Sequence, residues 1–332
     1  MKTQQIVLVS RPIGTPTLEN FRFEEIVLDK INEGEVLLQG LYYSVDPYMR
    51  GRMNDIKSYI SPFQLNEPIE GGVVARVLAS KDEQFKIGEI VLGSLPWRIQ
   101  TVASTKYLQK IDPTLAPLTY YLGVLGMPGL TAYFGLLDIG QPKEGKTIVI
   151  SGAAGAVGVV VGQIAKIMGS RVIGIAGSDQ KTDLIKDVFG FDEAINYKKT
   201  PNMKAVISEL CPEGVDIYFD NVGGEISDAV IQNINYHARI PLCGQISLYN
   251  STEFPVGPRL QPMLLRRSVL MQGFIVNDYK SQFPDAILQL SKWVKDGQLK
   301  YTETIIQGFS HLPSALLGLF KGDNIGKMIV EA

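Results

Sequence analysis

The sequence predicts an α/β protein in two parts: a small, mostly β, barrel-like domain, and a doubly wound parallel sheet of six strands. Three observations predict it. Short apolar runs separated by turn residues fill roughly the first 120 residues. From Lys146 onward, nearly continuous apolar strands alternate with helical segments, the pattern of a parallel sheet covered on both faces. A glycine-spaced turn, "GAAGAVG" at 152–158, stands between the first of those strands and the helix after it.

Each element follows from its residues. "QQIVLVS", "EVLLQGLYYSV", "GGVVARVLAS", "EIVLGSL" and "TKYLQKI" are rich in β-branched and aliphatic side chains and read as strands. Their even spacing points to a barrel-like domain. "GMPGLTAYFGLLDIG" reads as a helix entered through Pro128-Gly129 and stopped by Gly140. The second part then runs "KTIVIS" (strand), "AVGVVVGQIAKIM" (helix), "RVIGIAG" (strand), "KTDLIKDVFG" (helix), "AINY" (strand) and "MKAVISELC" (helix). "VDIYFDNVGG", "ARIPLCGQ" and "SVLMQGFIV" supply three further strands, with "SDAVIQNI" as a helix between the first two. A helix at "FPDAILQLSKWVKDG" precedes a strand-like tail, "YTETIIQGF" and "GKMIVEA", which is expected to rejoin the first domain. The expected division is therefore residues 1–123 completed by 299–332, and 124–298 as the nucleotide-binding domain.

Composition narrows the function. At 332 residues the chain can build one large or two medium domains, and 45% hydrophobic with 20% charged residues is ordinary for a globular protein. A net charge of −2 with scattered Lys and Arg offers no footprint for nucleic acid. No apolar run reaches the ~18 residues of a membrane span, and "MKTQQIVLVSRP" lacks the features of a signal peptide. A cytoplasmic protein without nucleic-acid or membrane partners is expected. Cys211, Cys243, His237 and His311 are the only cysteines and histidines. No pair of them has metal-ligand spacing, so no metal site is expected.

The turn at 152–158 carries the cofactor. Gly155 lets backbone approach a pyrophosphate, and Gly158 lets helix pack on strand. Between them Ala156 and Val157 open the helix, whose free N–H groups and positive dipole end suit phosphate. Ala153 stands where the first glycine of G-x-G-x-x-G usually falls. An NAD site places an acid about 20 residues on, at the end of the second strand. Here that end is Ala176-Gly177-Ser178, which leaves room for a 2′-phosphate; Ser178 offers a hydroxyl and Lys181 a counter-charge. Asp179 complicates this, because an acid there could still serve NAD. NADPH is nevertheless the expected cofactor. Ligands of such sheets lie beyond the carboxyl ends of the strands, which brings in Asn221, Val222 and Gly223, Cys243 and Gly244, and Phe274, Ile275 and Val276. Cys243 has no basic neighbour in sequence to activate it and reads as a small packing residue beside the cofactor.

Motifs in order along the whole chain resemble the zinc-independent medium-chain dehydrogenases/reductases, in the NADP-dependent alkenal, prostaglandin and curcumin reductase branch. They are "VDPYMRGRM" (45–53), "GVLGMPGLTAY" (123–133), "GLLDIGQPKEG", "GAAGAVG", "YFDNVGG" and "GFIV", with "SYISP" (58–62) favouring the curcumin reductase-like members. The resemblance implies a GroES-like β-barrel beside a Rossmann domain and a homodimer. It also implies reduction of a carbon–carbon double bond conjugated to a carbonyl, with hydride passing to the β-carbon. Zinc members of the superfamily carry a cysteine near Ser44 and a histidine where Ile69 stands; only Glu70 of their Gly-His-Glu is kept. The resemblance places Gly155, Lys181, Tyr197, Asn221, Cys243, Tyr249, Phe274, Val276 and Asn324 at the cofactor, with Lys181 and Tyr197 at the 2′-phosphate. It makes Tyr249 the donor to the developing oxyanion, and Tyr48 and Tyr59 the residues of the opposite wall. "NSTEFPVGPRLQPM" (250–263) reads as a flap over the substrate or as a plain long loop. Two other readings stay open: an NADPH quinone reductase, and a nucleotide-binding protein without turnover.

Overall fold

The computed structural model describes residues 1–332. They form two compact units: Met1–Gly123 with Glu303–Asn324 and Met328–Ala332, and Val124–Thr302 with Ile325–Lys327.

The first unit opens with a two-stranded antiparallel ribbon, β1 (Lys2–Leu8) and β2 (Phe21–Val27). There follow β3 (Glu35–Ser44), a one-turn helix α1 (Tyr48–Arg52), β4 (Glu70–Ser80), β5 (Ile90–Pro96), β6 (Gln100–Ser104) and β7 (Gln109–Ile111). Its core gathers alternate residues of these strands, among them Leu38, Val73, Val77 and Val91, with the fully buried Trp97, Met49 and Ile69. The period-2 alternation of each strand sends those side chains to one face. "TKYLQKI" is not one strand: residues Thr105–Tyr107 make a 3₁₀ turn, and only Gln109–Ile111 pair, with β5. β2 is alternately charged and apolar, which gave no continuous apolar run to read.

The second unit begins with α2 (Met127–Phe134), which continues as a π-type turn over Gly135–Gly140 rather than as regular helix. Gly135 permits this packing, since a Cβ there would lie 2.4 Å from the Phe274 ring. The sheet and its covering helices are then β8 (Thr147–Ser151), α3 (Gly158–Ile167), β9 (Arg171–Ala176), α4 (Asp179–Asp187), β10 (Glu193–Asn196), α5 (Met203–Leu210), β11 (Val215–Phe219), α6 (Gly224–Ile231), β12 (Ile234–Leu242), α7 (Gln261–Arg267), β13 (Leu270–Gly273) and α8 (Phe283–Lys295). The six strands are all parallel in the order β10-β9-β8-β11-β12-β13. That order reverses direction between β8 and β11, the switch point where doubly wound sheets bind nucleotides. β8 and β9 are buried nearly end to end, as strands covered on both faces must be.

The tail supplies β14 (Glu303–Gln307), α9 (Leu312–Lys321) and β15 (Lys327–Glu331). β15 pairs antiparallel with β3, and β14 lies outside it, giving a seven-stranded sheet β14-β15-β3-β4-β5-β7 with β6 also on β3. α9 buries Leu312, Ala315, Leu316 and Leu319 in the first unit's core. No helix is long and apolar enough to cross a membrane.

Candidate cofactor and active site

The carboxyl end of β8 turns sharply at Gly152, whose φ of +61° favours glycine. The turn is pinned to the next strand by Ala153 N–H donating to the Ile175 carbonyl at 3.0 Å. Ala153, the residue in the glycine's place, is completely buried, and Gly174 opposite leaves the room: a Cβ on Gly174 would meet that of Ala153 at 2.9 Å. The alanine is thus accommodated in the turn by a glycine on the neighbouring strand. At Gly158 a Cβ would lie 2.4 Å from the Gly152 carbonyl oxygen and 2.7 Å from the Ala153 Cα, so only glycine lets α3 start this close to β8. The N–H groups of Ala156, Val157 and Gly158 have no acceptor within the protein. Unfilled donors at a helix N-terminus beside side-chain-free backbone form a cradle that fits a pyrophosphate. Gly326 closes one side of the turn, its N–H donating to the Ala154 carbonyl at 2.8 Å.

At the end of β9, Ser178 caps α4, its Oγ accepting from Lys181 N–H at 3.3 Å. Its own hydroxyl hydrogen stays available to a ligand. Tyr197, on the 3₁₀ turn after β10, lays its ring against Gly177, where a Cβ would come within 3.1 to 3.3 Å of it. β9 and β10 pair with Ala176 opposite Asn196. Their register therefore brings Gly177, Ser178 and Tyr197 to one corner, with Lys181 on the first turn of α4.

The centre of the site is a residue the sequence reading left unassigned. Asp220, at the end of β11, is almost wholly buried. Its Oδ1 accepts from Ser151 Oγ (3.1 Å), Tyr218 OH (2.9 Å), Val222 N–H (3.0 Å) and Gly223 N–H (2.9 Å), and its Oδ2 from Gln245 Nε2 (3.1 Å). Its main-chain carbonyl accepts from Cys243 and Gly244 N–H. One satisfied carboxylate thus ties together the ends of β8, β11 and β12. Asn221 adds to this, its Nδ2 donating to the Ser151 carbonyl at 2.8 Å. The signal was the acid that closes the strand in "DIYFD", after the buried run Ile217-Tyr218-Phe219.

Tyr249 follows on the loop after β12. Its hydroxyl oxygen accepts from Gln245 N–H at 3.3 Å and lies beside Gly244, where a Cβ would sit 3.4 Å from it. Burial raises its pKa above the ordinary tyrosine value, an effect the Gln245 hydrogen bond partly offsets. Burial, with Asp220 nearby, pushes the Cys243 thiol up to about 12, so it is an inert packing group and not a nucleophile. Phe274 meets Phe219 edge-on at 6.5 Å, and Ile275 and Val276 start the 3₁₀ segment that follows β13.

Tyr48, Tyr59 and Asn324 belong to the first unit. Tyr48 opens α1 half-buried; burial first, and then Asp46, raise its pKa, while a hydrogen bond from Arg52 opposes them. Arg52 also binds the Ser61 carbonyl at 2.9 Å and sits 4.0 Å over the Phe63 ring, joining α1 to the loop that carries the exposed Tyr59. Asn324 is half-buried, two residues ahead of Gly326. Ile69 is fully buried in the apolar core, Ser44 Oγ donates to the Asp46 carboxylate, and no three His, Cys, Asp or Glu side chains gather as metal ligands.

Comparison with known proteins agrees with this architecture. Residues 4–111 match the "N-terminal domain of oxidoreductase" family model and 156–293 the "Zinc-binding dehydrogenase" model. The chain is 56% identical to the putative NADP-dependent oxidoreductase YfmJ of Bacillus subtilis, over 99% of this chain and 97% of that protein. It is 42% identical to the NADPH-dependent curcumin reductase of Escherichia coli, with the same coverage. The crystal structure of CurA from Vibrio vulnificus in complex with NADPH superposes with a TM-score of 0.95 at 45% identity, covering 99% of both chains. The chain therefore belongs to the medium-chain dehydrogenase/reductase family, in the branch of the alkenal, prostaglandin and curcumin reductases.

Proposed function

We propose that the protein is an NADPH-dependent reductase of the carbon–carbon double bond in α,β-unsaturated ketones and aldehydes. The observation that carries this is a set of groups at the strand ends: a glycine cradle for pyrophosphate, Gly177-Ser178 with Lys181 and Tyr197 at the end of β9, and a buried tyrosine hydroxyl at Tyr249. NADPH, when bound, supplies the hydride that adds to the β-carbon. Ala156, Val157 and Gly158 hold the pyrophosphate through main-chain N–H groups. Asn221, Cys243, Gly244, Phe274, Ile275, Val276 and Asn324 complete the cofactor contacts.

As hydride adds, negative charge grows on the substrate's carbonyl oxygen and needs a donor aimed at it. Tyr249 fills that role, and the enolate then collapses by taking a proton from solvent at its α-carbon. Gln245 N–H occupies a lone pair of the Tyr249 oxygen and leaves the O–H to donate, and the raised pKa keeps that proton in place at neutral pH. The motifs of the branch assign Tyr48 and Tyr59 to the substrate as well. With Ile69 and Ser44 where zinc members place ligands, the reaction runs without a metal.

The test is NADPH oxidation against a panel of alkenals, curcumin-like enones and quinones, using cofactor deuterated at the transferred position. Label at the β-carbon of an enone product supports the reading. Turnover of quinones alone would reassign the protein as a quinone reductase, and binding without turnover would make it a nucleotide-binding protein.

A cytoplasmic homodimer is part of the proposal. β13 ends the six-stranded sheet with its outer edge unpaired and Leu270 exposed, and Leu265 on α7 is exposed as well. Sedimentation equilibrium should give twice the chain mass of 36.5 kDa. A single species at one chain mass would remove the dimer.

A further inference from the structure

The corner that is assigned to the 2′-phosphate also contains an acid with no place in that assignment. Asp179 is the first residue of α4, directly after the Ser178 cap. A carboxylate near the end of the second strand serves ribose hydroxyls in an NAD site and repels a 2′-phosphate. Asp179 alone therefore points to the wrong cofactor.

The carboxylate is matched on both oxygens. Oδ1 accepts from Asn196 Nδ2 at 2.7 Å, and Oδ2 accepts from the Lys199 ammonium. Asn196 and Lys199 flank Tyr197, and the same residue Asn196 starts the 3₁₀ turn by accepting from Lys198 N–H. The turn that sets Tyr197 against Gly177 thus also delivers a cation to Asp179. Those two hydrogen bonds hold the Asp179 carboxyl below the usual carboxylate range, Lys199 first. So the acid carries its charge at neutral pH.

Both side chains are well exposed, 68% for Lys199 and 56% for Asp179. An ion pair that exposed contributes little to folding. Its consequence lies in the local potential: the Asp179–Lys199 pair is neutral, and removing the lysine restores a bare negative charge one residue from Ser178 and two from Lys181.

Building on the NADPH assignment above, we infer that Lys199 is a specificity determinant for NADPH over NADH, and that it acts by cancelling Asp179. It is a positioning and charge-compensating residue, distinct from Lys181 and Tyr197, which meet the phosphate itself.

Calorimetric titration of the full chain with 2′,5′-ADP and with 5′-AMP tests this without turnover. In Lys199→Ala the Kd for 2′,5′-ADP should rise about tenfold while that for 5′-AMP changes less than about twofold. Adding Asp179→Asn to Lys199→Ala should bring the 2′,5′-ADP Kd back to within about twofold of wild type, the coupling a double-mutant cycle isolates. If the double variant stays as weak as Lys199→Ala, Lys199 touches the phosphate directly and the compensation is wrong. An unchanged Kd in Lys199→Ala overturns the proposal outright. Failure of the underlying NADPH assignment shows separately, as a wild-type protein that binds 5′-AMP as tightly as 2′,5′-ADP; that result also overturns the proposal.

Discussion

The oxyanion contact proposed for Tyr249 rests on the surroundings of a single hydroxyl. Its oxygen is engaged by the Gln245 N–H, and its proton is held by burial. Phenylalanine in its place keeps the ring and loses only the donor. Tyr249→Phe should therefore lower kcat for enone reduction by about 10- to 100-fold while the Kd for NADPH changes less than about twofold. The sign of the pKa shift adds a pH consequence. A raised pKa keeps the O–H present to higher pH than an ordinary tyrosine of about 10, so kcat should stay flat from roughly pH 6 to 9. A descending limb near pH 8, or full turnover in the variant, would assign the oxyanion contact to another group. The same physics in the opposite role explains Cys243, where burial and Asp220 keep the thiol protonated and inert.

At the scale of elements, the site is a set of strand ends tied by few but decisive contacts. β8 and α3 meet at Gly158 with no room for a side chain, and Ala153 is matched by Gly174 on β9. Asp220 then holds the ends of β8, β11 and β12 through its five side-chain acceptor contacts. Adding one methyl group at Gly158 forces backbone apart, because its nearest neighbours are Gly152 O and Ala153 Cα and C. Gly158→Ala should cost about 2 kcal/mol of stability and displace the N–H groups of Ala156 and Val157, weakening NADPH by more than about tenfold. Chemical denaturation and cofactor fluorescence titration measure the two effects. A variant with wild-type stability and affinity would mean that α3 can slide away from the turn at no cost.

At the scale of the molecule, the family includes metal enzymes, and this chain keeps their two-unit plan without their ligands. Ile69 is packed among apolar side chains and Ser44 donates to Asp46, which supports the proposal that the reaction runs without a metal. Activity and melting temperature should both survive exhaustive dialysis against a strong chelator, with elemental analysis finding well under one equivalent of zinc per chain. Loss of activity restored by zinc would overturn this. The tail bears on the molecule as a whole, because β15 completes the sheet beside β3 and α9 closes its core. Truncation before Glu303 would remove both.

The parallel sheet was legible because strands buried on both faces are largely apolar, as the centres of β8, β9 and β11 are. The glycine turn was legible because steric exclusion allows no other residue at Gly158. β2, β6 and the helices α1 and α7 were harder: they are short or half-exposed, and such elements are defined by what they pack against. The same division holds in the site. Gly155, Ser178, Lys181 and Tyr249 could be named from spacing and from the motifs of the family, since cofactor chemistry constrains residue type at fixed positions. Asp220, Gln245 and the pairing of Asp179 with Asn196 and Lys199 could not, because the contacts that define them, Asp220 with Ser151 and Gln245 and Asp179 with Asn196 and Lys199, span 17 to 69 residues of chain. What the sequence by itself determined is the class of fold, the cofactor-binding turn and the absence of zinc ligands at Ser44 and Ile69, all local matters of residue size and chemistry. Only the tertiary structure decided how an acid beside the phosphate corner is neutralised and which buried carboxylate holds the strand ends, because charge and hydrogen bonding act through space.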